Sequence, residues 1–163
     1  MVCSCSPWGI CSRVGDHECR HRLMPRYLCF LVADLSLAIP VDRVAEVASV
    51  PPITRIPRPA RHIEGLTTLR GRIVPVLDLR KRFGLVNPVT DHHTRMILAL
   101  PGPQCEPVGF IVDSVGEILS VGEGEGAVPA SVPWVAEGLL AGAFEVRGRQ
   151  ILLPDLGKLA ELV

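Results

Sequence analysis

Aromatic residues are scarce in this 163-residue chain: four Phe, two Trp and one Tyr. Its core must therefore be aliphatic, and the ring platforms on which single-stranded nucleic acid stacks are missing. Neither charge sign is in excess, with 17 Lys and Arg against 17 Asp and Glu, so the basic surplus of a general nucleic-acid binder is absent too. No apolar run approaches the roughly 18–20 residues that cross a bilayer, and the N-terminus lacks the continuous apolar centre of a signal peptide. The chain is expected to be soluble and cytoplasmic. Enzyme signatures are also lacking: there is no Gly-x-Ser-x-Gly elbow, Walker loop, dinucleotide fingerprint or His-Glu-x-x-His. The run Gly122-Glu123-Gly124-Glu125-Gly126 is no phosphate cradle, because it lacks the following Lys and helix and carries the wrong charge. No enzyme activity and no cofactor are expected.

What the chain does have is aliphatic bulk and repetition. Hydrophobic residues make up 48% of it, enough for a packed core and too many for a chain disordered throughout. Its length suits one domain, or two small lobes sharing an interface. Near the middle, Arg70-Gly71-Arg72-Ile73-Val74-Pro75-Val76-Leu77-Asp78-Leu79-Arg80-Lys81 reads as tight turn, strand and helix start. Gly71 supplies the positive φ that a short hairpin needs, and Asp78 stands where an N-cap can accept from the free N–H groups of Arg80 or Lys81. The design recurs at Arg147-Gly148-Arg149, five residues, Asp155-Leu156, one residue, Lys158. Upstream, Val41-Asp42-Arg43-Val44-Ala45-Glu46-Val47-Ala48-Ser49-Val50 aligns with Val112-Asp113-Ser114-Val115-Gly116-Glu117-Ile118-Leu119-Ser120-Val121. Two matches in the same order mark a duplicated unit, with lobes expected at about 27–88 and 95–163. Gly71, Asp78, Gly148 and Asp155 are its structural motif residues. Asp42 and Asp78 suggest a paired acid and base, but their repeat partners Asp113 and Asp155 favour turn and cap duties performed twice.

Residues 1–25 differ in character and are expected to be a disordered extension or the result of a start codon placed too early. They hold Cys3, Cys5, Cys11 and Cys19, whose spacing fits no zinc signature; a metal- or thiol-sensing segment is the alternative use. Tyr27 to Pro40 reads as a hairpin. Val41 to Val50 has spacings that suit either a helical turn or a short strand. Residues 51–60 carry four prolines and suit an edge strand or extended loop. A turn holding a lone surface His62 follows, then a strand from Gly65 to Leu69 and a short helix from Leu79 ended by Gly84. Val86 to Thr94, with His92-His93, is a polar connection. The second half repeats these elements and closes on a helix from Asp155 to Leu162. A β protein without evident active site works most plausibly by presenting surfaces to partners.

These residues resemble the CheW family of bacterial chemotaxis scaffolds. The resemblance is carried by Leu37-Ala38-Ile39-Pro40-Val41, Val44, Glu46-Val47, Ile63-Glu64-Gly65, Leu69-Arg70-Gly71 and Ile73 to Arg80 with Phe83-Gly84, then Val108 to Asp113 and Ile151 to Leu156. It covers 26–163, the expected CheW-like domain. It implies a mainly β fold of two SH3-like five-stranded barrels packed side by side, with short helices at the barrel ends. It also implies a non-catalytic adaptor between the cytoplasmic tip of methyl-accepting chemoreceptors and the regulatory domain of a CheA-type histidine kinase, recruited to membrane-associated arrays without inserting into the membrane. Carried over by motif, the receptor-facing residues are Val44, Glu46, Gly65 and Arg70, with Val41 beside them. Arg70 has a competing explanation as an internal ion pair that braces its hairpin.

Overall fold

The computed structural model describes residues 25–85, 90–121 and 138–161. Ten strands run in the order β1 (Arg26–Val32), β2 (Leu35–Pro40), β3 (Val44–Ser49), β4 (Ile63–Leu69), β5 (Arg72–Asp78), β6 (Arg95–Ala99), β7 (Val108–Val112), β8 (Ser114–Ser120), β9 (Leu140–Val146) and β10 (Arg149–Pro154). A 3-10 turn, Val41–Arg43, precedes β3, and the short helices α1 (Leu79–Arg82) and α2 (Leu156–Leu159) follow β5 and β10. Val41 to Val50 thus holds both conformations its spacing allowed, a turn and then a strand. The N-terminal cysteines, the acidic glycine run and Trp134 lie outside the described residues.

The strands form two five-stranded sheets, ordered β8-β1-β2-β10-β9 (sheet I) and β3-β6-β7-β5-β4 (sheet II). Replacing each strand by its counterpart in the other copy of the repeat converts one order into the other. The sheets are nevertheless not the sequence halves expected as lobes. The first copy places its opening hairpin, β1 and β2, in sheet I with β8 to β10, while the second places β6 and β7 in sheet II with β3 to β5. Each copy lends its first two strands to the other's sheet. The lent strands dock by parallel pairing, β2 on β10 through Leu37 and Leu152, and β7 on β5 through Gly109 to Ile111 and Val76 to Asp78.

Exchange explains why the inner strands read as unbroken apolar runs: both of their faces are covered. Leu28, Phe30, Leu37, Ile39 and Leu152 of sheet I join Leu77, Ile97, Phe110 and Val112 of sheet II in one central core. The alternate residues of the same strands turn inward, giving Tyr27, Ala38, Phe144, Ile151 and Leu153 in sheet I, and Val76, Met96 and Ile111 in sheet II. Tyr27 and Phe144 have two strands between them in the sheet order, yet their rings are 5.3 Å apart. Sheet I is therefore curled on itself, consistent with an SH3-like barrel. Sheet II is drawn together at its edges, where Thr54 forms an isolated bridge with Leu66 of β4.

The turn and cap chemistry follows the sequence. Arg70 and Gly71 take φ of 49° and 77°, and Arg147 and Gly148 take 51° and 73°, which is the pair of positive values a type I′ hairpin requires. Asp78 accepts from Arg80 N at 2.9 Å and Asp155 from Lys158 N at 3.1 Å. Leu85 N returns to the Arg80 carbonyl at 2.8 Å around Gly84 at φ 69°, ending α1 as a left-handed cap does. Both helices are shorter than expected. Among the described residues no helix is long and apolar enough to cross a membrane.

Candidate functional site

Of the five expected contact residues, the structure joins two. Glu46 lies on β3 and Arg70 in the β4–β5 turn, at opposite ends of the order of sheet II. Curling brings Arg70 Nε to 3.1 Å from Glu46 Oε2. The guanidinium side chain is 80% exposed, so this pair contributes at most about 1 kcal/mol to stability. The φ of 49° at Arg70 belongs to the type I′ turn and is matched by 51° at Arg147. The pair presents one charge of each sign, aligned by the hairpin, on the surface of sheet II.

Val41 and Val44 are half-buried against the central core. They flank the crossover at which the chain leaves sheet I for sheet II. Val44 is paired with Ala99 of β6, and Leu100 N bonds to the Arg43 carbonyl at 2.8 Å. Gly65 has a different duty. It is buried at φ 147°, and a Cβ there would lie 2.1 Å from the Thr54 carbonyl oxygen. Only glycine lets the 50s segment close on β4, through Thr54 N to Leu66 O at 2.8 Å and Leu66 N to Thr54 O at 2.9 Å. Beside it, Glu64 is paired with Lys81 of α1.

Sequence reasoning missed a buried cation near this face. Arg80 was readable only as one of several basic residues in a short helix, yet its side chain is 5% exposed. Its Nη2 meets Asp78 Oδ2 at 2.8 Å, its Nε meets Asp78 Oδ1 at 2.9 Å, and its Nη1 reaches Asp113 Oδ1 at 3.0 Å. Burial alone would lower the Arg80 pKa, but the hydrogen bonds and charges of Asp78 and Asp113 outweigh it and hold it above the ordinary value. Asp113 stands between β7 of sheet II and β8 of sheet I and also accepts from Ala33 N in the β1–β2 turn. One residue thus ties α1, a sheet-to-sheet crossover and the first hairpin together. Asp78 is an N-cap and a salt-bridge acceptor, not half of an acid–base pair with the exposed Asp42.

His62 is another difference. It is buried, not a surface residue, with Nε2 3.3 Å from the Glu161 carbonyl. A carbonyl only accepts, so Nε2 carries the proton. Burial lowers the His62 pKa, the Glu161 carbonyl opposes this, and the Arg82 charge adds to the lowering. His92 and His93 sit in a turn of the polar connection, with ring centroids 3.9 Å apart. Among the described residues no cluster of three or more His, Cys, Asp or Glu is placed to hold a metal.

Comparison with known proteins gives one answer. The family model described as the CheW-like domain matches residues 26–163. The chain is 31% identical over 134 residues to the chemotaxis protein CheW of Klebsiella aerogenes, covering 82% of this chain and 80% of that one. It is 34% identical over 101 residues to CheW of Bacillus subtilis, covering 61% and 63%. Among solved structures it is similar to the scaffolding protein TtCheW of Thermoanaerobacter tengcongensis, with a TM-score of 0.77 at 28% identity, over 90% of this chain and 94% of that one.

Proposed function

Because the chain belongs to the CheW-like family, whose members are non-catalytic chemotaxis scaffolds, we propose that it couples the cytoplasmic tips of chemoreceptors to the regulatory domain of a CheA-type histidine kinase. It would do so in the cytoplasm, within receptor arrays at the membrane. The observation that carries the receptor half of this proposal is the pair of half-buried Glu46 and exposed Arg70 on sheet II. A receptor tip is a helical hairpin, and such a partner is held by an apolar strip with a few polar anchors. The half-buried Val41 and Val44 supply apolar surface, and the exposed Arg70 supplies a guanidinium able to grip a carboxylate through two parallel bonds. Gly65 acts from beneath, by letting the 50s segment close.

The kinase half is tested by titration calorimetry of the chain with the regulatory domain of a CheA-type kinase from the same genome. Saturable micromolar binding, about −8 kcal/mol, is expected, and Arg70→Ala should leave it intact. Absence of binding to every such domain would remove the kinase from the account.

A further inference from the structure

The repeat gives sheet I its own version of the Glu46–Arg70 mouth, and there the mouth is open. Glu117 aligns with Glu46, and Arg147 with Arg70. In sheet II the two side chains meet at 3.1 Å; among the described residues no ion pair joins Glu117 to Arg147. Both instead line a cavity of about 240 Å³, with Cys29, Leu119, Val146, Arg149 and Ile151 among its walls. One difference between the copies lies in its wall. Cys29 pairs with Ala38 in sheet I, and Leu98 pairs with Gly109 in sheet II. Ala38 and Gly109 occupy the same place ahead of Val41 and Val112, so Leu98 is the counterpart of Cys29. Sheet II thus carries buried leucine where sheet I carries the smaller cysteine that lines the cavity. The charges converge on it: Glu117 and Arg149 both act on the Cys29 thiol, whose pKa is raised by burial first and by Glu117 next, with Arg149 opposing. Arg149 is held by Ser36 Oγ at 3.1 Å.

We infer that this mouth is a docking notch for a protein segment that inserts one leucine-sized side chain over Cys29 and sets a carboxylate beside it against Arg147. The volume suits one side chain, being below the roughly 300–1,000 Å³ of sites for drug-sized ligands. The rim decides for a carboxylate, since two guanidinia face one acid. The notch lies where β8 begins and β9 ends, on the sheet opposite the Glu46–Arg70 pair, so it is a second protein contact. It does not rest on the receptor–kinase proposal, and its failure would leave that proposal standing.

The test is methyl NMR of the full chain, following Leu119, Val146 and Ile151. The probes are acetyl-Gly-Leu-Glu-Gly-amide, its Leu-Gln analogue and free 4-methylpentanoate. Saturable shifts with the Leu-Glu peptide are expected, weakened about fivefold with Leu-Gln and weaker still with 4-methylpentanoate. Cys29→Leu, which copies sheet II, should abolish them. Arg147→Glu, on an exposed turn, should reverse the preference between the two peptides, and it decides alone if the Cys29 variant fails to fold. No saturable shift with the Leu-Glu peptide, or binding indifferent to Arg147→Glu, overturns the proposal. Equal or tighter binding of 4-methylpentanoate also overturns it, assigning the notch to a small carboxylate instead.

Discussion

At the end of β5, Asp78 caps α1 through Arg80 N, and the Arg80 side chain turns back to bridge Asp78 and Asp113; at the end of β10, Asp155 caps α2 through Lys158 N, but Gly157 stands where Arg80 does. The cap belongs to the repeat, and the ionic clamp belongs to the first copy alone. The difference falls on the two crossovers between the sheets. The β7–β8 crossover is pinned at Asp113 by Arg80 and by Ala33 N. The β2–β3 crossover is a 3-10 turn whose Asp42 is exposed. The crossover without a clamp is the one flanked by Val41 and Val44, beside the proposed receptor face. A duplicated fold keeps what every copy needs to form, namely hairpin, cap and alternating core, and varies what a single copy needs to present.

The sharpest way to break this comparison is to exchange the clamp. Arg80→Gly removes a buried cation from two carboxylates and should cost about 3–5 kcal/mol in urea unfolding. Gly157→Arg, on the exposed side of α2, should cost under about 1 kcal/mol. Equal losses would mean the copies are braced alike. A second contrast lies in the strands. Gly65→Ala drives a Cβ into the Thr54 carbonyl and should cost about 3 kcal/mol or more. Gly142→Ala occupies the equivalent place in β9, where the nearest atom is Leu153 Cδ1 at 3.8 Å, and should shift the unfolding midpoint little. The mouths give a smaller effect. Leu98→Cys opens the mouth of sheet II and should cost about 1–2 kcal/mol, detectable as a lower thermal midpoint.

The smallest expected effect is a pH slope. The folded-state pKa of His62 is lowered, so near and below the ordinary histidine value the unfolded chain binds a proton that the folded chain resists. The contribution of His62 is therefore fully present above that value and is lost as pH falls through it. His62→Gln keeps a donor for the Glu161 carbonyl without titrating. The stability of the natural chain relative to this variant should fall between pH 7.5 and 5.5, measured by urea unfolding at each pH.

Local chemistry was legible in the sequence wherever one residue type has one physical reason to stand in place. Gly71 and Gly148 marked the turns, Asp78 and Asp155 the caps, and the two aligned stretches the duplication. The exchange of opening hairpins was not legible, because an unbroken apolar run shows that a strand is covered on both faces without showing which sheet covers it. Arg80 was hidden because a basic residue in a four-residue helix reads as surface, and its second partner, Asp113, lies far along the chain. His62 was hidden for the same reason, its partner being the carbonyl of Glu161. The candidate site was legible as residue types, but only the fold shows that Glu46 and Arg70 form a pair while Gly65 closes the sheet beneath them.

The proposed receptor role rests on one copy of the Arg-Gly-Arg turn and not on the other. The direct test is the affinity of a soluble chemoreceptor tip fragment for the natural chain, Arg70→Ala and Arg147→Ala, with the fold of each checked by its unfolding midpoint. Arg70→Ala should weaken binding about tenfold or more, with stability changed by under about 1 kcal/mol, and Arg147→Ala should leave receptor affinity unchanged. Equal losses at both turns, or no loss at Arg70, would contradict the assignment of the receptor face to sheet II.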